Sequence, residues 1–369
     1  MSLIFAVKEL LNIIHRTSSA DIKDVAAHAK VSISTVSNVL NNTKAVSKPL
    51  EDRVREAVKA LNYETNPIAK GLKSKKTNTI SVIVPSISSV FFPLLLRAIH
   101  LEASKFGYTV SIFETRESLE REKECIHLLK SLWTDGILLS SCADIDDPKS
   151  KDYIESLSAY SSNRKKIPVI CMEAAISDKL DAIIMNDSLA IEKATQYLIS
   201  LGRKNIAYIA APLRFVMGKL RKAGYLEALN KAGLPIRDDY IVEGDYSPQS
   251  GHLCMQRLLA RMNPIDAVVV GNDQMAIGAI RCIKDAKLHI PDDIAVIGFN
   301  NNFPSSLISP SLTTMKVPKE EMGAIAFDLL MNRIKNPDSP RKLVQLTAEL
   351  VIRKSTDKKG DDTWDLSNW

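Results

Sequence analysis

The stretch Val31-Ser32-Ile33-Ser34-Thr35-Val36-Ser37-Asn38-Val39-Leu40-Asn41 reads as a tight turn followed by a short amphipathic helix. Val36, Val39 and Leu40 recur at three- and four-residue spacing, while Ser, Thr and Asn fill the other face. Upstream, Ile22 to Ala29 predicts a first helix, capped by Ser18 or Ser19, and Lys30, Val31 and Ser32 form the turn. The second helix runs from about Ile33 to Leu40. A third starts at Ser47 as N-cap, carries Pro49 in its first turn, where a missing N–H costs nothing, and runs to about Leu61. Val25, Ala26, Ala29, Val31, Val36, Val39, Val54, Val58 and Leu61 make its small core. Two helices joined by a three-residue turn have helix-turn-helix geometry, and the plain alternative is a three-helix bundle.

The distribution of charge bears on that choice. The chain has 369 residues and a net charge of +6, with 13 Lys and Arg against 7 Asp and Glu in residues 1–79 and 36 against 36 in the rest. All the excess positive charge lies in the first fifth, the pattern of a nucleic-acid-binding head joined to a neutral body. Hydrophobic residues at 45% and charged residues at 25% are ordinary for a globular chain and exclude disorder as the main state. No apolar run reaches the roughly 18–20 residues that span a bilayer, and the apolar start from Leu3 to Ile14 is broken by Lys8, Glu9 and Asn12, so a cytoplasmic protein is expected. The five cysteines are widely spaced in apolar stretches and read as reduced core thiols, with no metal-ligand spacing.

Residues 64–78 read as a hinge: Asn66 caps a short helix with Pro67 at its first position, and Gly71 keeps that helix from holding together without a partner. After Thr79 apolar β-rich runs alternate with helical patterns. Strands are expected at Ile80–Val84, Thr109–Phe113, Gly136–Leu139, Val169–Met172, Ala182–Met185, Ile206–Ile209, Ala267–Val270 and Ala295–Gly298. Strands buried on both faces and linked by helices mean parallel sheets in an α/β fold. The pattern restarts near Asp181, which implies two lobes with a ligand crevice at the carboxyl ends of their strands. The expected partition puts residues 79–181 and 311–337 in lobe 1, and residues 182–310 and 338–355 in lobe 2. Residues 1–19 are left as an extension, helical on the spacing of Leu3, Val7, Leu10 or Leu11 and Ile14, and residues 356–369 as a polar tail.

At this point the chain resembles the lactose-repressor family of bacterial transcription regulators. The resemblance rests on Asp21 to Ala26, Val31 to Asn41, the hinge up to Leu72, Ile83-Val84-Pro85 with Phe91-Phe92, and Arg221-Lys222-Ala223-Gly224-Tyr225. It continues through Gly244-Asp245-Tyr246, Asn272-Asp273-Gln274-Met275-Ala276, Gly298-Phe299 and Leu312-Thr313-Thr314. The resemblance implies a helix-turn-helix head, a hinge helix and a two-lobed core like the periplasmic sugar-binding proteins. It implies a homodimer on a palindromic operator in double-stranded DNA, with repression as the commoner mode and no enzymatic activity. On the second helix, Ile33, Ser34 and Asn38 match positions facing base edges, while Thr35, Ser37 and Asn41 match phosphate-positioning residues. Ala69 and Leu72 of the hinge helix would also meet DNA, with Leu72 as a wedge into the central minor groove. Asn38 stands where Arg is commonest, which suits the N6 and N7 of adenine. Lys30 stands at the usual turn Gly, a strain of roughly 1 kcal/mol if the left-handed conformation is kept.

The same resemblance places a small-molecule effector, a sugar or sugar derivative, in the crevice. Phe91 and Phe92 would wall it opposite Tyr246, Arg221 would clamp it, and Glu173, Asn272 and Asp273 would take hydroxyls. Ser86 and Asn300 stand where the family commonly has Asp, and Asn301 does likewise. Those departures remove negative charge beside Arg221, so an acidic or phosphorylated effector is expected to gain ground. Three rivals are open. An enzyme finds no support in GxGxxG, GxSxG, GxxxxGK[ST] or HExxH motifs, which are absent. A sugar-binding protein without DNA function would need export, and a regulator governed by a protein co-regulator would need no sugar. No metal or other cofactor is expected.

Overall fold

The computed structural model describes residues 20–41, 44–63, 76–162, 165–261 and 264–365. They belong to two compact units that divide between Thr77 and Asn78. In the first unit, α1 (Ile22–Ala29), α2 (Ile33–Asn41) and α3 (Lys48–Ala60) enclose Val25, Ala26, Ala29, Val36, Val39, Val54 and Ala57. Val31, Val58 and Leu61, expected in this core, pack at its edge. The cap of α1 is Asp21, not Ser18 or Ser19. Its Oδ1 accepts from the N–H groups of Lys23 and Asp24 at 2.6 and 3.0 Å, and Asp24 Oδ2 accepts from the Asp21 N–H at 2.7 Å. This reciprocal box places carboxylates where the helix dipole favours them, which outweighs a serine hydroxyl further out. Lys30 does take the left-handed conformation, with φ 54° and ψ 47°. Ser47 caps α3 with no side-chain hydrogen bond, and Pro49 sits in its first turn as expected. The extension and the hinge helix lie outside the described residues.

The second unit holds two six-stranded sheets. Along the chain, lobe 1 contributes β1 (Thr79–Val84), α4 (Phe92–Lys105), β2 (Thr109–Glu114), α5 (Leu119–Leu132), β3 (Gly136–Leu139) and α6 (Pro148–Ser158). A small hairpin of β4 (Ser161–Ser162) and β5 (Lys165–Lys166) precedes β6 (Val169–Glu173) and β7 (Asp181–Met185). Then α7 (Asp187–Ser200) opens lobe 2, followed by β8 (Ile206–Ala210), α8 (Val216–Lys231), β9 (Ile241–Glu243), α9 (Pro248–Leu259), β10 (Ala267–Val270) and α10 (Asp273–Asp285). The chain ends with β11 (Ala295–Asn300), α11 (Pro304–Leu307), β12 (Thr313–Lys316), α12 (Lys319–Lys335), β13 (Leu343–Leu346) and β14 (Glu349–Val351). Lobe 1 has the order β13-β7-β6-β3-β1-β2, all parallel. Lobe 2 has the order β14-β12-β11-β10-β8-β9, parallel except for β14.

Every expected strand is present, but the lobe partition differs at three strands: β7, which was expected, and β12 and β13, which were not. β7 pairs with β6 and β13 and so belongs to lobe 1, β13 joins it there, and β12 pairs with β11 and β14 in lobe 2. An apolar run announces a strand, whereas its sheet is decided by a ladder partner far away in sequence. α12 returns to pack on α4 and on β3, β6 and β7 of lobe 1. Arg333 locks it there through a two-pronged ion pair with Asp181, Nε to Oδ2 at 2.8 Å and Nη2 to Oδ1 at 2.7 Å. Four of the five cysteines are buried and all are free thiols. Among the described residues no helix is long and apolar enough to cross a membrane.

In lobe 2, α9 and α10 lie so close that a Cβ on Gly278 would come within 1.8 Å of the Pro248 carbonyl oxygen. Gly278→Ala is therefore expected to lower the unfolding free energy by about 1–3 kcal/mol in urea denaturation. Unchanged stability would contradict this close approach.

Candidate functional site

The lobes of the second unit enclose a cavity of about 260 Å³ at the carboxyl ends of their strands. The turn after β1 supplies Ser86 and Phe91, the first residue of α4 supplies Phe92, and the end of β6 supplies Glu173. From lobe 2 come Arg221 of α8, Tyr246 after β9, Asn272 at the head of α10 and Asn300 at the end of β11. These residues, each expected in the site, all line the cavity. Asp273 does not. It is fully buried beneath the site, with Oδ1 accepting from the Thr314 hydroxyl at 2.6 Å and Oδ2 from the Asn302 N–H at 2.6 Å. As the first residue of α10 its side chain turns inward and ties the loop after β11 to β12.

The aromatic surface is larger than expected. Phe91 and Phe92 meet edge to face at 5.2 Å, and Tyr246 stacks with Phe215 at 6.4 Å and 20°. Phe215 also lines the cavity, as do Met217, Glu117, Asp245 and Gln274. Sequence reasoning missed these five. Phe215 stands immediately before α8, six residues ahead of Arg221, and that position was the available signal. Asn272 holds Tyr246 in place: its Nδ2 donates to the Tyr246 carbonyl at 3.0 Å while its Oδ1 caps α10 by accepting from the Met275 N–H at 2.9 Å. One N–H and one lone pair of that amide are left for a ligand.

Arg221 is buried and already paired. Its Nε donates to Asp187 Oδ1 at 2.6 Å, its Nη1 donates to the Gly271 carbonyl at 2.8 Å, and its guanidinium lies 3.9 Å from the centre of the Phe299 ring. Glu173 accepts a short hydrogen bond from the Ser140 hydroxyl. Burial pushes its carboxyl up to about 7, against the pull of Ser140 and Arg221. Ser86 and Asn300 line the cavity without charge, as expected, but other carboxylates reach it. Those of Glu117, Glu173 and Asp245 line it, and the single guanidinium among its lining residues is balanced by Asp187. These features stand against the expectation of an acidic or phosphorylated effector. At the rim the lobes are bridged by Arg214 to Glu117 at 2.5 Å and by Lys219 to Asp144 and Asp146 at 2.7 and 2.5 Å.

In the first unit, α2 turns Val36 and Val39 into the core and leaves Ile33 and Ser34 exposed, with Thr35, Ser37, Asn38 and Asn41 half-buried. The Ser32 hydroxyl links those of Ser34 and Thr35 at 2.7 and 2.8 Å, and Asn41 Nδ2 donates to the Ser37 carbonyl at 2.9 Å. The outward edge is thus a row of small hydroxyl and amide groups around one apolar side chain. Ala69 and Leu72 lie outside the described residues.

Comparison with known proteins matches residues 21–66 to the model of bacterial regulatory proteins of the lacI family, and residues 195–356 to a periplasmic-binding-protein-like domain. The chain is 36% identical over 337 residues to the HTH-type transcriptional repressor PurR of Pasteurella multocida, covering 91% of this chain and 98% of that one. It is 35% identical over 337 residues to the ribose operon repressor of Escherichia coli K12, covering 91% and 99%. Among solved structures it is similar to the Lac repressor dimer bound to operator and the anti-inducer ONPF, with a TM-score of 0.81 and 29% identity over 92% of this chain and 99% of that one. It is also similar to the transcriptional regulator CelR in complex with cellobiose, with a TM-score of 0.68 and 26% identity over 91% and 99%. Two family models in chain order, with relatives above 30% identity over nine-tenths of the sequence, lead to one conclusion: the chain belongs to the lacI family of bacterial regulatory proteins.

Proposed function

We propose that this DNA-binding regulator represses transcription as a homodimer on a palindromic operator and is controlled by a neutral one-ring sugar held between the lobes of its core. The observation that carries the effector reading is the pairing of Arg221 with Asp187 inside a cavity walled by four aromatic rings. A guanidinium already balanced offers directed N–H groups without a free positive charge. Glu117, Glu173 and Asp245 offer acceptors, and the rings offer flat apolar surface. Hydroxyls above and C–H faces beside them satisfy that set, whereas a carboxylate or phosphate finds no free positive charge there. At about 260 Å³ the cavity lies near the lower end of small-molecule sites, roughly 300 Å³, which suits one ring. A cavity so furnished favours a small effector over a protein co-regulator.

On DNA, two copies of α2 would enter successive major grooves, with Ile33, Ser34 and Asn38 towards base edges and Thr35, Ser37 and Asn41 on phosphates. Ala69 and Leu72 would act in the minor groove between them. The dimer and the operator contact follow the Lac repressor structure to which the chain is similar. Work on bacterial DNA places the protein in the cytoplasm. By linkage, an inducing sugar binds the DNA-free form more tightly by the same factor that it weakens DNA binding.

Selection of bound fragments from a random DNA library tests the first half. Enrichment of a palindrome containing adenine opposite Asn38 is expected, with Asn38→Ala relaxing that position at a cost of about 1–3 kcal/mol. Absence of any enriched site in a folded protein would sink the repressor reading. The pH dependence of sugar binding tests the second half. A sugar hydroxyl donating to Glu173 favours its ionised form, so binding releases a proton and tightens as pH rises through about 7. Calorimetric titration between pH 6 and pH 8 should show this slope in the wild type and lose it in Glu173→Gln; an equal slope in both would refute the contact.

A further inference from the structure

We propose that Asp365 is a positioning residue of the effector site: it clamps Asn301 and the buried Arg353 so that the neighbouring Asn300 presents its amide to the cavity. The inference rests on the cavity being the effector site. Arg353 is 1% exposed, and its Nη1 donates to Asn301 Oδ1 at 2.9 Å and to the Leu312 carbonyl at 3.0 Å. Asn301 carries no charge to answer that guanidinium. Among the described residues the ion-pair partner of Arg353 is Asp365, with Nη2 to Oδ2 at 3.7 Å, and the same Oδ2 accepts from Asn301 Nδ2 at 2.9 Å. One carboxylate thus holds both the guanidinium and the amide between them.

The segment after β14 is fastened for this purpose. The Asp361 N–H donates to the Ile352 carbonyl at 3.1 Å, the Ser311 hydroxyl donates to Asp362 Oδ1 at 2.9 Å, and the Asp365 N–H donates to Ser306 Oγ at 3.0 Å. What it braces is a costly piece of backbone. Asn300 and Asn301 have φ 109° and 49°, in the region that favours glycine, and such conformations persist only where the surroundings over-determine them. Lys319 Nζ ties both carbonyls, at 2.5 and 3.2 Å, and the Asn301 N–H donates to Thr314 Oγ1 at 3.2 Å. Asn300 itself is 7% exposed, lines the cavity, and has an Oδ1 with no partner among the described residues. Where the lactose-repressor family commonly has Asp at position 301, this chain has Asn, and the carboxylate arrives from beyond residue 356, where the domain match ends. Loss of Asp365 removes the ion-pair partner of a buried guanidinium and the acceptor of the Asn301 amide, which the turn at Asn300 and Asn301 must relax to accommodate.

The test uses the full-length protein, with hydrogen exchange by mass spectrometry and titration of D-ribose, D-glucose and D-galactose. Asp365→Ala is expected to speed exchange in residues 299–306 by about tenfold and to weaken whichever sugar the wild type binds by about tenfold. Adding Asn301→Asp should restore both, and Lys358→Ala, which breaks the pair with Asp292 on the same segment, should change neither. If Asp365→Ala fails to fold, Asp365→Asn in the same assays decides. Unchanged exchange in residues 299–306, or no rescue by Asn301→Asp, overturns the proposal. Failure of the wild type to bind any of the sugars counts against the sugar reading alone, since the exchange arm decides the clamp without a ligand.

Discussion

A guanidinium removed from water must be answered by a carboxylate and by further hydrogen bonds, or the charge costs several kcal/mol. In the core unit Arg221 is answered by Asp187, by the Gly271 carbonyl and by the face of Phe299. Those partners come from the start of α7, the end of β10 and the end of β11, so one side chain gathers three elements of lobe 2 at the floor of the cleft. Asp187 follows directly on the crossing from lobe 1, since β7 ends at Met185. The chain therefore enters lobe 2 at the point where the buried charge of Arg221 is neutralised.

In the proposed function this pairing also sets what the cleft can hold. The guanidinium edge left over donates hydrogen bonds, while the carboxylates and the aromatic rings supply acceptors and apolar surface. In the proposed reading that set is matched to hydroxyl groups and poorly matched to an anion. The loss of Asp at Ser86 and Asn300 does not reverse this, because Glu117 and Asp245 reach the cavity from other loops.

Much of this was legible in the sequence, and the limits have physical causes. The helix-turn-helix followed from valine spacing, and each expected parallel strand followed from an apolar run, because burial on both faces writes itself into consecutive residues. The sheet membership of β7, β12 and β13 did not, because ladder pairing joins residues far apart in sequence. Asp273 was assigned to the ligand but does not line the cavity, because adjacent residues at the head of α10 point in different directions: Asn272 lines the cavity and Asp273 serves the core. The clamp by Asp365 was missed for a similar reason, since it carries no local pattern and acts through tertiary contact, whereas Phe215 was signalled only by its place just before α8. Asp21 in place of Ser18 or Ser19 is a local matter, settled by a carboxylate that can bond two N–H groups at once.

The most direct measurement is the ratio of affinities for a neutral aldose and its uronate, taken by calorimetry in the wild type and in Asp187→Asn. With Asp187 in place the neutral sugar should bind at least about tenfold more tightly, and the substitution, by freeing the Arg221 charge, should erase or reverse that preference. The same ratio in both proteins would contradict the claim that the Arg221–Asp187 pair sets the chemistry of the cleft.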